Sequence, residues 1–246
     1  MRRFGLIGHP LTHSFSGKYF AEKFNREQLS DCIYELYDLE QLDKLPKLIE
    51  QHPDLIGLNV TIPYKEQVMD YLDELDEKAH EIGAVNTILI DPASRKLKGF
   101  NTDYHGFKRS LQPFLKNTHE RALILGTGGA SKAVTQVLKE LGINYLYVSR
   151  NPTSSNEIGY DEVNAYVMKH HQLIINTTPV GTFPNVDTCP AIDYNCLTDE
   201  HLLYDLVYNP AESLFLQKGK AKQSMVINGL DMLKLQAEKA WEIWNG

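Results

Sequence analysis

The run Arg121-Ala122-Leu123-Ile124-Leu125, followed at once by Gly126-Thr127-Gly128-Gly129-Ala130-Ser131, restricts the possible folds more than any other stretch. Beyond it Ala130, Ala133, Val134, Val137, Leu138 and Leu141 recur at offsets of 0, 3, 4, 7, 8 and 11, a helical period that Gly142 stops. An apolar strand leading through a glycine turn into a helix is the opening unit of an α/β layer structure. Glycines there let the backbone turn tightly and approach a pyrophosphate, and the free N–H groups of the helix N-terminus favour an anion. Ser131 replaces the usual third glycine and is still small enough to pack closely. The pattern predicts dinucleotide binding, against a purely structural turn as the alternative.

The next predicted strand, Tyr145-Leu146-Tyr147-Val148, ends in Ser149-Arg150-Asn151. NAD binders usually carry an acid there, whereas a guanidinium suits the 2′-phosphate of NADP. Further short strands are expected at Leu173–Ile175, Leu203–Leu206 and Met225–Ile227, so this block is a β-α-β series. Asn151–Asn156 reads as a surface loop. Upstream lies a second set: strands at Phe4–Ile7, Cys32–Leu36, Leu55–Ile62 and Ala84–Ile90, helices at Phe15–Arg26 and Gln41–Gln51, and a hairpin arm at Lys96–Phe100 after the turn Asp91–Ser94. The C-terminal stretch Asp231–Trp244 is helical, with Leu233, Ala237, Ala240, Trp241 and Trp244 on one stripe that must bury against one of the two blocks.

Composition removes several classes of partner. With 25 basic and 32 acidic residues the net charge is −7, spread without like-charge runs, which disfavours nucleic acid and anionic membrane. No stretch approaches a membrane span or a signal-peptide core. Cys32, Cys189 and Cys196, an odd set without C-x-x-C spacing, read as free thiols of a cytoplasmic protein. His9 and His13 flank Pro10 in a loop without acid or cysteine, so no metal site is expected.

In the first block Ser14 and Ser16 stand just before a helix, where hydroxyls and helix N–H groups can hold a small carboxylate; Ser14 as a plain N-cap is the alternative. Asn59-Val60-Thr61-Ile62-Pro63-Tyr64-Lys65, Gly83-Ala84-Val85-Asn86-Thr87 and Asn101-Thr102-Asp103 put amides, hydroxyls, a lysine and a carboxylate at strand ends, where ligands of open α/β sheets bind.

These pieces resemble the shikimate dehydrogenase family, in family order along nearly the whole chain. The likeness continues through Gly8-x-Pro10-x-x-His13-Ser14-x-Ser16, Asn176-Thr177-Thr178-Pro179-x-Gly181, Asp205-x-x-Tyr208-Asn209-Pro210 and Gly229-x-x-Met232-Leu233-x-x-Gln236-Ala237. It implies an α/β fold of two domains: a substrate-binding domain over residues 1–103, completed by 228–246, and a Rossmann-like NADP domain over 104–227, with the last helix returning to the first. It also implies reversible NADPH-dependent reduction of 3-dehydroshikimate to shikimate, a step toward chorismate and the aromatic amino acids, by a cytoplasmic monomer or homodimer.

The implied roles are Lys65 and Asp103 for catalysis, Ser14 and Ser16 for the substrate carboxylate, and Thr61, Asn86, Asp103, Tyr208 and Gln236 for the ring hydroxyls. Gly126, Thr127, Gly128, Gly129, Ala130, Ser131, Ser149, Arg150, Thr177 and Gly229 are implied for NADP(H), with no metal. Pairing with Asp103 favours a charged Lys65 and desolvation a neutral one, so proton donor and base both stay open. The alternatives are a quinate dehydrogenase, against which Ser16 and Arg150 lean, and a non-catalytic NADP-binding protein, for which loss of Lys65 or Asp103 would be expected.

Overall fold

A computed structural model describes residues 1–11 and 14–246; His13 of the opening motif lies outside the described residues. In chain order the elements are β1 (Arg2–Gly8), α1 (Phe15–Arg26), β2 (Cys32–Asp38), α2 (Leu45–Gln51), β3 (Leu55–Val60), β4 (Glu74–Leu75), α3 (Glu77–Ile82), β5 (Thr87–Ile90), β6 (Leu97–Phe100), α4 (Thr102–Leu111) and β7 (Arg121–Leu125). Then follow α5 (Gly129–Glu140), β8 (Asn144–Ser149), β9 (Glu157–Gly159), α6 (Ala165–His170), β10 (Leu173–Asn176), β11 (Leu202–Asp205), α7 (Leu214–Ala221), β12 (Met225–Ile227) and α8 (Leu230–Asn245). They form two compact units, Met1–His105 with Lys234–Gly246, and Gly106–Leu233.

The first unit holds a sheet of order β2-β1-β3-β5-β6-β4, parallel across β2, β1 and β3 and antiparallel from β3 to β5 and β5 to β6. Apolar side chains alternate to both faces. Ile7, Leu58 and Val60 point into a cluster with Leu42, Leu45, Leu48 and Val68, while Phe4 joins Phe20 and Phe24 of α1 and Ala237, Ala240 and Trp244 of α8. The buried face of α8 is Met232, Gln236, Ala237, Ala240 and Trp244; Leu233 and Trp241 of the expected stripe are half-buried. The Trp244 indole lies on β3 where Gly57 has no side chain, stacks on Phe4 at 5.0 Å between ring centroids, and donates from Nε1 to the Ile88 carbonyl at 3.0 Å. A Cβ on Gly57 would stand 2.1 Å from that nitrogen.

The second unit holds an all-parallel sheet of order β12-β11-β10-β7-β8-β9. Counted from β7 this is the 3-2-1-4-5-6 order of a dinucleotide-binding sheet, with its switch point between β7 and β10. Ala122–Leu125, Leu173–Asn176 and Leu202–Asp205 are fully buried, as strands covered on both faces must be. The short stretch before Leu173 holds β9, a 3-10 turn and the six-residue α6 in place of a longer helix.

Several expected bounds shift for local reasons. The expected helix Gln41–Gln51 is a 3-10 turn at Leu42–Lys44 leading into α2, because Pro46 cannot donate within a continuous helix. β3 stops at Val60 before Pro63, and β5 spans Thr87–Ile90, although the Asn86 backbone before it still bonds to Val60 and Phe100 at 2.8 and 3.0 Å.

At the N-terminal edge of the second sheet, buried histidines precede three neighbouring strands: His119 before β7, His171 before β10 and His201 before β11. The Nδ1 atoms of His119 and His201 accept from the Lys116 and Thr198 backbone N–H groups, both at 3.0 Å. Their Nε2–H groups therefore donate, to the Glu200 and Met168 carbonyls at 3.3 and 3.1 Å. His171 donates from Nδ1 to the Val167 carbonyl at 2.8 Å. Burial lowers all three pKa values, which keeps the rings neutral.

Gly57→Ala is expected to displace the Trp244 indole and lower stability by about 1–3 kcal/mol, read as a lower urea midpoint. For the histidines the folded pKa lies below the unfolded value of about 6.5, so their contribution is present above that pH and is lost as pH falls through it. The histidines should therefore pull the urea midpoint down as pH falls below about 6.5. His201→Asn, which keeps an acceptor for Thr198 but cannot be protonated, should show a shallower drop; an unchanged slope would count against the histidine origin.

Candidate active site

In the first unit the strand-end residues meet. Asn101 caps α4 by accepting the Tyr104 N–H at 3.1 Å, which sets Asp103 in the first helical turn, where the helix dipole favours a negative charge. Lys65, in the turn after β3, donates from Nζ to Asp103 Oδ2 at 2.6 Å. Both side chains stay partly accessible, at 20% and 11% of full exposure, so the pair faces solvent rather than the core.

A polar chain runs beside the pair. Asn86 Oδ1 accepts from the Thr102 N–H at 2.7 Å and from the Thr102 and Thr87 hydroxyls, both at 3.1 Å. Thr102 also reaches Gln236 Oε1 of α8 at 3.3 Å. From Thr87 the chain continues to Asn59 Nδ2 at 3.3 Å, and Asn59 Oδ1 accepts the Tyr34 hydroxyl at 2.8 Å. Ser16 stands half-buried in the first turn of α1. Ser14 caps α1, accepting the Gly17 N–H at 3.2 Å, and Thr61 follows β3 with its backbone N–H on the Ile7 carbonyl at 2.9 Å. His9, which has no acid in its own loop, pairs instead with Asp38 at the end of β2, Nδ1 to Oδ1 at 2.6 Å.

In the second unit the glycine loop lies at the switch point. Gly126 has φ +102°, and a Cβ there would meet Thr178 Cγ2 at 2.7 Å, so only glycine lets the loop approach the segment after β10 so closely. Thr177 closes that approach, its hydroxyl donating to the Leu125 and Gly126 carbonyls at 2.9 and 3.2 Å. The first turn of α5 begins at Gly128 without a side-chain cap, and space is open around Gly128 and Gly129. Thr127 is exposed, Ala130 half-buried, and the Ser131 hydroxyl turns inward to the Gly128 carbonyl at 2.7 Å, so Ser131 shapes the loop rather than facing outward. Uncapped N–H groups beneath an open glycine surface fit a phosphate.

Ser149 accepts the Asn151 N–H at 3.2 Å, and Arg150 is exposed beyond the end of β8. Gly229 donates to the Val207 carbonyl at 3.2 Å, one residue before Tyr208, whose half-buried phenol has its pKa raised by desolvation. No cluster of three metal-ligating side chains occurs among the described residues, and no described helix is long and apolar enough to cross a membrane.

Tyr34 and Ser213 are not anticipated from sequence, and Asn176 and Asp205, which head two of the motifs, are given no role there. Asn176 and Asp205 each close an otherwise apolar, fully buried strand. A polar residue ending such a run is the signal that could have found them.

The chain matches the model of the shikimate dehydrogenase substrate binding domain over residues 6–88. It is 38% identical to a shikimate dehydrogenase (NADP(+)) of Clostridium beijerinckii, covering 99% of this chain and 92% of that one. Among solved structures it resembles the shikimate 5-dehydrogenase of Thermus thermophilus in complex with NADP(H) and shikimate, with TM-score 0.85 and 32% identity over 100% of this chain and 94% of that one. It also resembles the quinate dehydrogenase of Corynebacterium glutamicum in complex with NAD, with TM-score 0.87 and 27% identity over 100% and 94%.

Burial pushes the Asp205 carboxyl up to about 6, against the donors that face it. Because the folded value lies above the unfolded one of about 3.9, stability is lost as pH rises from about 4 through 6, by about 3 kcal/mol in all. Asp205→Asn removes that loss: the difference in unfolding free energy between variant and wild type should change by this amount across the window, and a constant difference would refute the assignment.

Proposed function

The chain belongs to the shikimate dehydrogenase family, and we propose that it catalyses the reversible NADPH-dependent reduction of 3-dehydroshikimate to shikimate. The observation that carries this reading is the Lys65–Asp103 pair at 2.6 Å, accessible and set beside a chain of amides and hydroxyls. Such a set suits a polyhydroxylated ring with one reacting oxygen.

Reducing a ketone puts a hydride on carbon and leaves negative charge on oxygen, which needs a proton donor or a cation. When bound, NADPH supplies the hydride. Lys65 donates the proton to the nascent alkoxide from Nζ, and Asp103 holds that nitrogen in place. In the reverse direction Lys65 receives the proton of the shikimate hydroxyl as hydride leaves the carbon. Ser14 and Ser16 take the substrate carboxylate at the start of α1, while Thr61, Asn86, Asp103, Tyr208 and Gln236 address the hydroxyls.

For the cofactor, Gly126, Thr127, Gly128, Gly129, Ala130 and Ser131 form the pyrophosphate cradle, and Ser149 and Arg150 the 2′-phosphate site, with Thr177 and Gly229 completing the nucleotide site. An arginine instead of an acid after β8 supports NADP over NAD. The free thiols Cys32, Cys189 and Cys196 suit an enzyme of the reducing cytoplasm.

Shikimate and quinate, each with NADP+ and NAD+, should give the fastest reduction of cofactor with shikimate and NADP+; faster turnover of quinate with NAD+ would replace substrate and cofactor together. Lys65→Ala is expected to lower kcat by about 10²–10⁴-fold while changing the shikimate dissociation constant by less than about threefold. A raised KM with unchanged kcat would make Lys65 a binding residue instead.

A further inference from the structure

Where β10 and β11 end, their last rung is the Leu206 N–H on the Asn176 carbonyl at 2.9 Å, with Asn176 and Asp205 as register partners. Beyond it the two chains run into Thr177–Phe183 and Leu206–Ser213, which meet again where the Phe183 N–H donates to the Asn209 carbonyl at 3.0 Å. Asn176, Asp205 and Ser213 are fully buried.

Asp205 takes over from the ladder. Its Oδ1 accepts from Asn176 Nδ2 at 2.9 Å and from the Val207 N–H at 3.0 Å, and its Oδ2 accepts the Ser213 hydroxyl. A carboxylate only accepts, so it forces the NH₂ of Asn176 toward itself and leaves Asn176 Oδ1 facing the other way. There Oδ1 receives the Thr178 N–H at 3.1 Å and the Thr178 hydroxyl at 2.6 Å. Thr177, between them, is thereby set against Leu125 and Gly126 of the glycine loop. On the other side the fixed Val207 N–H immediately precedes Tyr208, and Ser213 caps α7 toward the Leu216 N–H at 3.4 Å.

We propose that Asp205 is a positioning residue for the reaction: its carboxylate oxygens set the Thr177 segment and the Tyr208 segment in one fixed relation at the switch point. This rests on the reading of the glycine-loop crevice as the NADP site. Packing does not account for a carboxylate here, since an apolar side chain would close β11 as its neighbours Leu202, Leu203 and Tyr204 do, without the cost of desolvation. What an apolar side chain lacks is the acceptor that orients Asn176, Val207 and Ser213 together.

The test compares wild type, Asp205→Ala and Asp205→Asn by shikimate oxidation with NADP+ and by calorimetric titration with each ligand. Asp205→Ala should raise KM and Kd for NADP+ by about tenfold or more and lower kcat by a similar factor, and by releasing Tyr208 it should also raise the shikimate dissociation constant. Asp205→Asn keeps the oxygen that meets Asn176 and Val207 and reverses one bond to Ser213, so it should return within about threefold of wild type. A folded Asp205→Ala with wild-type NADP+ parameters overturns the proposal, as does an Asp205→Asn as impaired as Asp205→Ala, because charge rather than placement would then be the requirement. If Asp205→Ala does not fold, Ser213→Ala, which removes one donor and leaves the others, should raise KM for NADP+ by about threefold or more; a wild-type value overturns the proposal. A wild type that binds neither NADP+ nor shikimate would instead sink the functional reading itself.

Discussion

A strand that ends inside a protein leaves backbone and side-chain polar groups without ladder partners in a medium where an unpaired group costs about 1–3 kcal/mol. Both units meet this demand with side chains, and the functional groups are drawn from the same places. In the first, Asn86 collects the Thr102 N–H and the hydroxyls of Thr87 and Thr102 where β5 begins and its antiparallel neighbour β6 ends. In the second, Asn176 and Asp205 do the same beyond β10 and β11. No buried side-chain polar atom is left without a partner among the described residues. Satisfying the strand ends and orienting the candidate site are therefore one problem, and the order of polar residues along the chain solves both.

Much of the fold was legible because the periodic signals were strong. The helix at Phe15–Arg26 and the strand Arg121–Leu125 fall where apolar spacing put them, and the glycine loop sits between strand and helix as its residues require. Short elements were not legible: β4 is two residues long, β9 three and α6 six, too few to establish a period. The turn of α4 at Asn101–Tyr104 was also hidden, since capping chemistry there resembles an ordinary polar loop.

At the site, sequence pointed to residue types at strand ends but not to who bonds to whom. That Ser131 turns inward to Gly128, or that Tyr34 donates to Asn59, depends on side-chain direction set by the assembled core. The alternation within β2 could not show that Tyr34 reaches across β1 to β3. Asp205 escaped for a different reason. A single acid after an apolar run reads as a strand terminus, and only the parallel register beside Asn176 reveals the pair.

The seat of Trp244 on Gly57 carries a consequence for the order of events during synthesis. The aromatic cluster that joins Phe4, Phe20 and Phe24 to Trp241 and Trp244 draws on residues made at opposite ends of the described chain, whereas Gly106–Leu233 is one continuous stretch. A growing chain thus holds every residue of its nucleotide-type sheet before it holds the indoles that close the aromatic face of the other. Until Trp244 emerges, the channel over Gly57 and the Ile88 carbonyl is exposed apolar surface, the kind of surface that chaperones bind and that sticks to its own kind. The unit that begins first is the one that finishes last.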